Sequence, residues 1–183
     1  MPSPDLPPLL DRTFFRRETL SVALELPGKL LRRGRVLIEI SEVEAYRFPD
    51  DSANHCYRGR TPRNAPMWGR PGQAYVYLCY GLHQMLNAVT QPEGEGAAVL
   101  IRAGRVRRGL SEVRRRRGFA DTPDRPARAA DLTTGPGRLA QALGLTRAEH
   151  DGHDLCAPGG LEIREAFPSD RPPLLRAFPR IGI

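Results

Sequence analysis

Two alternating runs, at residues 74–80 and 84–90, are joined by nothing longer than Tyr80 to His83. A link that short predicts a β-hairpin, because a parallel return needs a crossover of a dozen or more residues. This constrains the fold more than any other feature of the chain. Alternation places Tyr75, Tyr77 and Cys79 on one face, with Val76, Leu78 and Tyr80 on the other. Both faces are apolar, so both need a partner, and one partner is the core. The tip is unusual: Tyr80-Gly81 sets a bulky aromatic where small polar residues are the norm.

Further strands are expected at 35–46 and 97–106. The stretch Phe14–Leu31 reads as a helix, capped at Thr19 or Ser21 and stopped by Pro27-Gly28. A short helix with Ser111 at its cap is expected over 109–119, and Asp131–Leu145 reads as a cap and a double-glycine turn that then becomes a helix. Residues 121–130 read as a proline-containing loop and 150–165 as turn and strand. Residues 47–73, with four prolines and three glycines, form a long irregular loop. Loops of that length in a compact domain are functional or disordered. Strands clustered mid-chain with helices around them predict one α+β domain over 1–183, with a curved, mostly antiparallel sheet and a proline-rich entry at 1–11.

The chain carries a net charge of +7, almost all of it arginine, and Lys29 is the only lysine. Such a surface meets nucleic acid, an acidic membrane or an acidic partner, or is simply a solvated cationic surface. Cys56, Cys79 and Cys156 form no C-x-x-C pair and imply no disulfide framework. No stretch approaches the ~20 apolar residues of a membrane span, and the proline-containing N-terminus lacks a signal-peptide pattern. The expected location is the cytoplasm, in association with the nucleoid.

Glu42, Glu44 and Tyr46 fall on one strand face. Two carboxylates and a tyrosine there are either a solvated sheet face or, where burial sets in, a general-base site. His55 is followed by Arg58, Arg60 and Arg63, with Tyr57 and Trp68 interleaved. Guanidinium groups for phosphate and ring faces for bases suit a nucleic-acid surface. At the hairpin tip, Tyr80 and Leu82 fit an apolar wedge between base steps. Enzymes acting on a base then take it out of the stack.

The segments "EVEAY", "NHCYRGRTPRN", "PGQAYVYLCYGLHQMLN" and "AVLIRA", in this order, resemble the alkyladenine (3-methyladenine) DNA glycosylase family. "LTTGPGRLAQALGL" and "DGHDL" look like family segments too. The resemblance implies a general base at Glu44 and a water-holding arginine at Arg102. It implies a base pocket of Tyr46, His55 and Tyr77, walled by Ala53 and floored by Asn87, and a DNA wedge of Tyr80 with Leu82. Arg58, Arg60 and Arg63 would face the DNA backbone. The implied partner is double-stranded DNA holding a damaged purine, bound by a monomer without metal or cofactor. Family members continue beyond a segment like the terminal "FPRIGI", so a stretch that would cover the sheet and help to position the water is expected to be missing here.

Lys29 lies far in sequence from every candidate site residue, which predicts a monofunctional enzyme, since strand cleavage needs an amine at C1′. The alternative is a non-catalytic nucleic-acid-binding module on the same scaffold; Glu44 beside Tyr46 argues against it. A third reading, a metal-dependent phosphoesterase, would use His150, His153 and Cys156, whose spacing matches no standard zinc pattern.

Overall fold

Alternation of the strand segments builds a single curled sheet, ordered β3-β4-β5-β2-β1-β6, in which every neighbouring pair is antiparallel. The strands are β1 (Leu30–Arg33), β2 (Val36–Tyr46), β3 (Ala74–Cys79), β4 (His83–Val89), β5 (Ala98–Arg108) and β6 (Leu161–Arg164). The computed structural model describes residues 6–119 and 129–181. The fold is α+β, as the order of elements predicts.

The sheet has two apolar faces. Ile38, Ile40, Val76, Leu86, Ala88, Val99 and Ile101 join one core cluster, completed by Phe15, Val22, Leu139 and Leu143 from helices. Tyr75, Val89 and Ala98 belong to a second cluster on the opposite face, with Cys56 and Met67 from the 47–73 loop. Irregular register at Ile40/Glu42 and Glu42/Val43 marks a β-bulge in β2. Before it, Val36, Ile38 and Ile40 face the helices; after it, Val43 does. The bulge therefore turns Glu42, Glu44 and Tyr46 away from the main core and towards the loop side. β5 must pass close to this irregular strand: a Cβ on Gly104 would lie 2.3 Å from Ile38 Cγ2 and 2.5 Å from the Glu39 carbonyl oxygen.

The helices are α1 (Arg12–Phe15), α2 (Thr19–Glu25), α3 (Leu110–Arg116), α4 (Ala129–Thr133), α5 (Pro136–Leu143) and α6 (Arg147–His150). Several differ from expectation. The first helix is two short ones, and the cap of α2 is Glu18, whose carboxylate accepts from the Ser21 amide, rather than Thr19 or Ser21. Leu30 and Leu31, read as helix, pair instead with Glu39 and Ile38. Gly109, in a left-handed conformation, and not Ser111, begins α3. The helix expected after the double-glycine turn is α5, opened by Pro136 within that turn, whereas the short α4 before it was not expected. The expected loop at 121–130 lies outside the described residues up to 128, as do residues 1–5 of the proline-rich entry.

The arginine run 114–117 ties helices together. Arg116 donates to the Ala142 and Leu143 carbonyls, and Arg117 to those of Asp131 and Leu132. Cations suit these carbonyl-rich helix ends. Among the described residues no helix is long and apolar enough to cross a membrane.

Candidate active site

Register places Tyr75 opposite Asn87, Asn87 opposite Leu100, and Leu100 opposite Glu44. One lateral row across the loop-side face thus runs from the hairpin to β2, with buried Leu100 between Asn87 and Glu44. Arg102 lies two residues along β5 from Leu100, on the same face.

Glu44 is 7% exposed and accepts from several donors. The Tyr46 hydroxyl donates to Oε2 at 3.0 Å and the Ile181 amide to Oε1 at 3.0 Å. Arg102 Nη1 lies 3.2 Å from Oε1, while its Nε donates to Glu42 Oε1 at 2.9 Å. Burial, then the charge of Glu44 and their hydrogen bond, raise the Tyr46 hydroxyl well above its ordinary value, so it stays a donor.

Beside this carboxylate stands an aromatic group. Tyr75 and Tyr77 stack with centroids 5.4 Å apart, and the His55 ring meets Tyr77 edge-on at 4.7 Å. His55 Nδ1 lies 3.0 Å from the Tyr75 hydroxyl, which fixes the ring's orientation. Desolvation, then the Arg63 guanidinium, hold His55 below its ordinary pKa, so the neutral imidazole prevails at pH 7. Burial pushes the Tyr77 hydroxyl up to about 12, with Cys79 and Glu44 adding to it. Asn87 Nδ2 donates to the Tyr75 carbonyl at 3.1 Å, which leaves its amide oxygen free of that bond. Ala53 sits in a turn where its amide donates to Asp51 Oδ1.

The loop carrying His55 is ordered by two buried asparagines. Asn54 donates to the Arg47 and Gly96 carbonyls, and Asn64 to those of His55 and Gly59. Phe48 and Trp68 pack edge to face, with ring centroids 4.9 Å apart, against the second cluster. Arg58, Arg60 and Arg63 are exposed along the same loop.

At the hairpin tip, Tyr80 (φ 49°) and Gly81 (φ 72°) both adopt left-handed backbone, and the Leu82 amide closes the turn on the Cys79 carbonyl. A turn of this kind needs positive φ at its two central positions. Glycine takes it freely, whereas tyrosine is strained there. Tyr80 is 93% exposed and Leu82 77%.

Four residues were missed by sequence reasoning. Tyr75 aligns His55, and Asp51, Arg180 and Ile181 bring the C-terminal segment onto Glu44. For Tyr75 the signal was its shared parity with Tyr77. For Arg180 and Asp51, which lie 129 positions apart, no local signal exists. The "FPRI" segment itself reaches the carboxylate, a role expected only of residues further on. In the alternative metal cluster, His150 Nδ1 meets the Thr146 carbonyl and His153 Nε2 accepts from the Leu161 amide. Among the described residues no group of three or more His, Cys, Asp or Glu is placed to hold a metal ion.

The sequence model of the methylpurine-DNA glycosylase family matches residues 13–183. The chain belongs to that family. It is 46% identical over 175 residues to the DNA-3-methyladenine glycosylase of Arabidopsis thaliana, covering 96% of this chain and 65% of the plant protein. A Nitrosococcus oceani protein, provisionally named a 3-methyladenine DNA glycosylase, is 47% identical over 175 residues, covering 96% of this chain and 82% of its own. A Streptomyces avermitilis protein with the same provisional name is 42% identical over 186 residues, covering 99% and 84%. As a methylpurine-DNA glycosylase, the chain is an N-glycosyl hydrolase of alkylated-base repair that acts on DNA.

Proposed function

We propose that this glycosylase excises alkylated or deaminated purines from duplex DNA with a water activated by Glu44, and leaves an abasic site. The observation that carries the reading is the placement of the buried Glu44 carboxylate, with Arg102 on Oε1, beside the Tyr46, His55 and Tyr77 rings. A 3-alkylated adenine is cationic and its bond to C1′ is already weak. Tyrosine faces favour a cation, so the rings bind the flipped base as they would any electron-poor ring. Glu44 takes a proton from water, the oxygen forms a bond to C1′, and the electron pair of the glycosidic bond leaves with the base; a 3-alkylated adenine is neutral at once, whereas hypoxanthine or ethenoadenine becomes neutral by taking up the proton that water gave to Glu44. Arg102, held by Glu42, orients Glu44 and the water. Asn87, held by its bond to the Tyr75 carbonyl, floors the pocket and leaves no room for the exocyclic amine of normal guanine. Tyr80 enters the duplex where the base has left, with Leu82 beside it.

The Lys29 ammonium is engaged by Glu165 at 2.5 Å and makes no bond to Glu44, which supports a monofunctional reaction. The test is a base-release assay on duplexes carrying 3-methyladenine, hypoxanthine or 1,N6-ethenoadenine, analysed before and after alkali. Free base with strand breaks only after alkali is expected. A borohydride-trapped protein–DNA adduct would contradict the monofunctional assignment, and failure to release any of the three bases would contradict the substrate class.

A further inference from the structure

The C-terminal segment approaches the site through one side chain. Arg180 Nη1 donates to the Ala45 carbonyl at 3.0 Å and to Asp51 Oδ2 at 2.5 Å, and Nη2 donates to Asp51 Oδ1 at 2.8 Å. Its guanidinium also lies over the Tyr46 ring, 4.8 Å from the centroid. Ala45 sits between Glu44 and Tyr46, so a single cation grips the strand at the catalytic carboxylate, the ring beside it and the loop facing it. Asp51 is well suited as the anchor. Its side chain is 8% exposed, and its two oxygens also receive the Arg47 and Ala53 amides. Burial raises the Asp51 carboxyl, but the Arg180 bonds and those amides outweigh it and hold the group below its ordinary value. The Asp51–Arg180 pair is therefore ionised at neutral pH.

Two of the donors on Glu44 depend on this grip. The residue after Arg180 supplies the amide on Oε1, and the ring under Arg180 supplies the hydroxyl on Oε2. We propose that Arg180, anchored by Asp51, is a positioning residue that sets the Glu44 carboxylate for attack through the Ile181 amide and the Tyr46 hydroxyl. The inference rests on the reading of Glu44 as the general base. Arg180 touches neither base nor water in this scheme. A planar fork is needed, since carboxylate, carbonyl and ring face are engaged at once, and lysine offers a point charge only.

The experiment compares single-turnover release from a duplex carrying one 1,N6-ethenoadenine, at saturating enzyme, for the wild type, Arg180→Gln, Asp51→Asn, their double variant and Glu44→Gln. Affinity for the same duplex is measured for Glu44→Gln with and without Arg180→Gln, so that no turnover intervenes. Displacing a catalytic group by about 1 Å costs on the order of 100-fold, so each single variant is expected to lose 10- to 100-fold in rate. The double variant should be no slower than the worse single one, because the pair acts as a unit. Affinity should change less than about twofold, a split that a merely structural or DNA-binding role would not give. Should Arg180→Gln fail to fold, the nearly isosteric Asp51→Asn still decides the matter. Rates within twofold of wild type while Glu44→Gln is inactive would overturn the inference and leave the function standing. So would a rate loss matched by an equal affinity loss. A fully active Glu44→Gln would remove the proposed function and the inference together.

Discussion

Tyr80 and His55 depend on their surroundings in opposite ways, and each invites its own experiment. Tyr80 touches almost nothing in the protein, so Tyr80→Ser should leave the melting temperature unchanged or slightly raised. The same change should weaken lesion-duplex binding by about 1–3 kcal/mol, the range for stacking an aromatic on a base. A drop in melting temperature with unchanged binding would assign the ring a structural role. His55 contacts Tyr75 and Tyr77 while remaining exposed, and its pKa is lowered in the fold, an effect that solvent keeps small. The folded state then binds fewer protons than the unfolded chain near pH 6. Its contribution is fully present above the ordinary value of about 6.5 and is lost as pH falls towards the lowered one. His150, also lowered by burial, adds to the same slope. Denaturant midpoints should therefore fall from pH 7 to pH 5, and His55→Gln should flatten part of that fall; an unchanged slope would contradict it. At this scale the sequence was informative wherever a residue's role follows from type and parity. Type and parity group Glu42, Glu44 and Tyr46 in this way, whereas the parts proposed for Tyr77 and Asn87 rest on the resemblance to known glycosylases. The sequence was silent on Asp51 and Arg180, whose meaning arises only when distant segments meet.

The elements that shape the site are the irregular ones. Strict alternation along β2 would set Glu42 and Glu44 on the face of Ile38 and Ile40, inside the main core. The bulge after Ile40 prevents that. Alternation within 42–46 was legible, but the bulge was not: its mark is the change of apolar parity from Ile40 to Val43, and Leu37, apolar on the other parity, obscures it. The opposite holds for the 47–73 loop. Its proline and glycine content announced an absence of regular structure, and its order comes from buried amides. Asn64 is 3% exposed and bonds two carbonyls and the Thr61 amide. Asn64→Ala should destabilise the protein by about 2–3 kcal/mol, because it leaves those groups buried and unpaired. Chemical denaturation measures this, and a loss below 0.5 kcal/mol, estimated against that same range, would show the loop held by other means. Short helices were the least legible elements. α1, α4 and α6 span 4, 5 and 4 residues and owe their form to packing rather than to any periodicity.

As a whole, the molecule is a curled sheet with helices on one face and the candidate active site on the other, carrying a charge of +7. Duplex binding should weaken as salt rises, since bound phosphates release counterions. If Arg58, Arg60 and Arg63 each meet one phosphate, they contribute roughly −0.9 apiece to the slope of log affinity against log salt. Arg60→Ala should lower the slope by about one unit without changing which lesion is preferred. An unchanged slope would move that contact elsewhere on the surface. The α+β class and the hairpin followed from strand spacing alone, whereas the order β3-β4-β5-β2-β1-β6 needed the pairing of β1, which a helix-like Lys29-Leu30-Leu31 concealed. Everything here converges on one carboxylate. Single-turnover release of 1,N6-ethenoadenine by Glu44→Gln tests the account most directly. The predicted result is lesion-duplex binding close to wild type with base release reduced by at least about 1,000-fold, at the scale expected when a general base is lost. Release at the wild-type rate would contradict it.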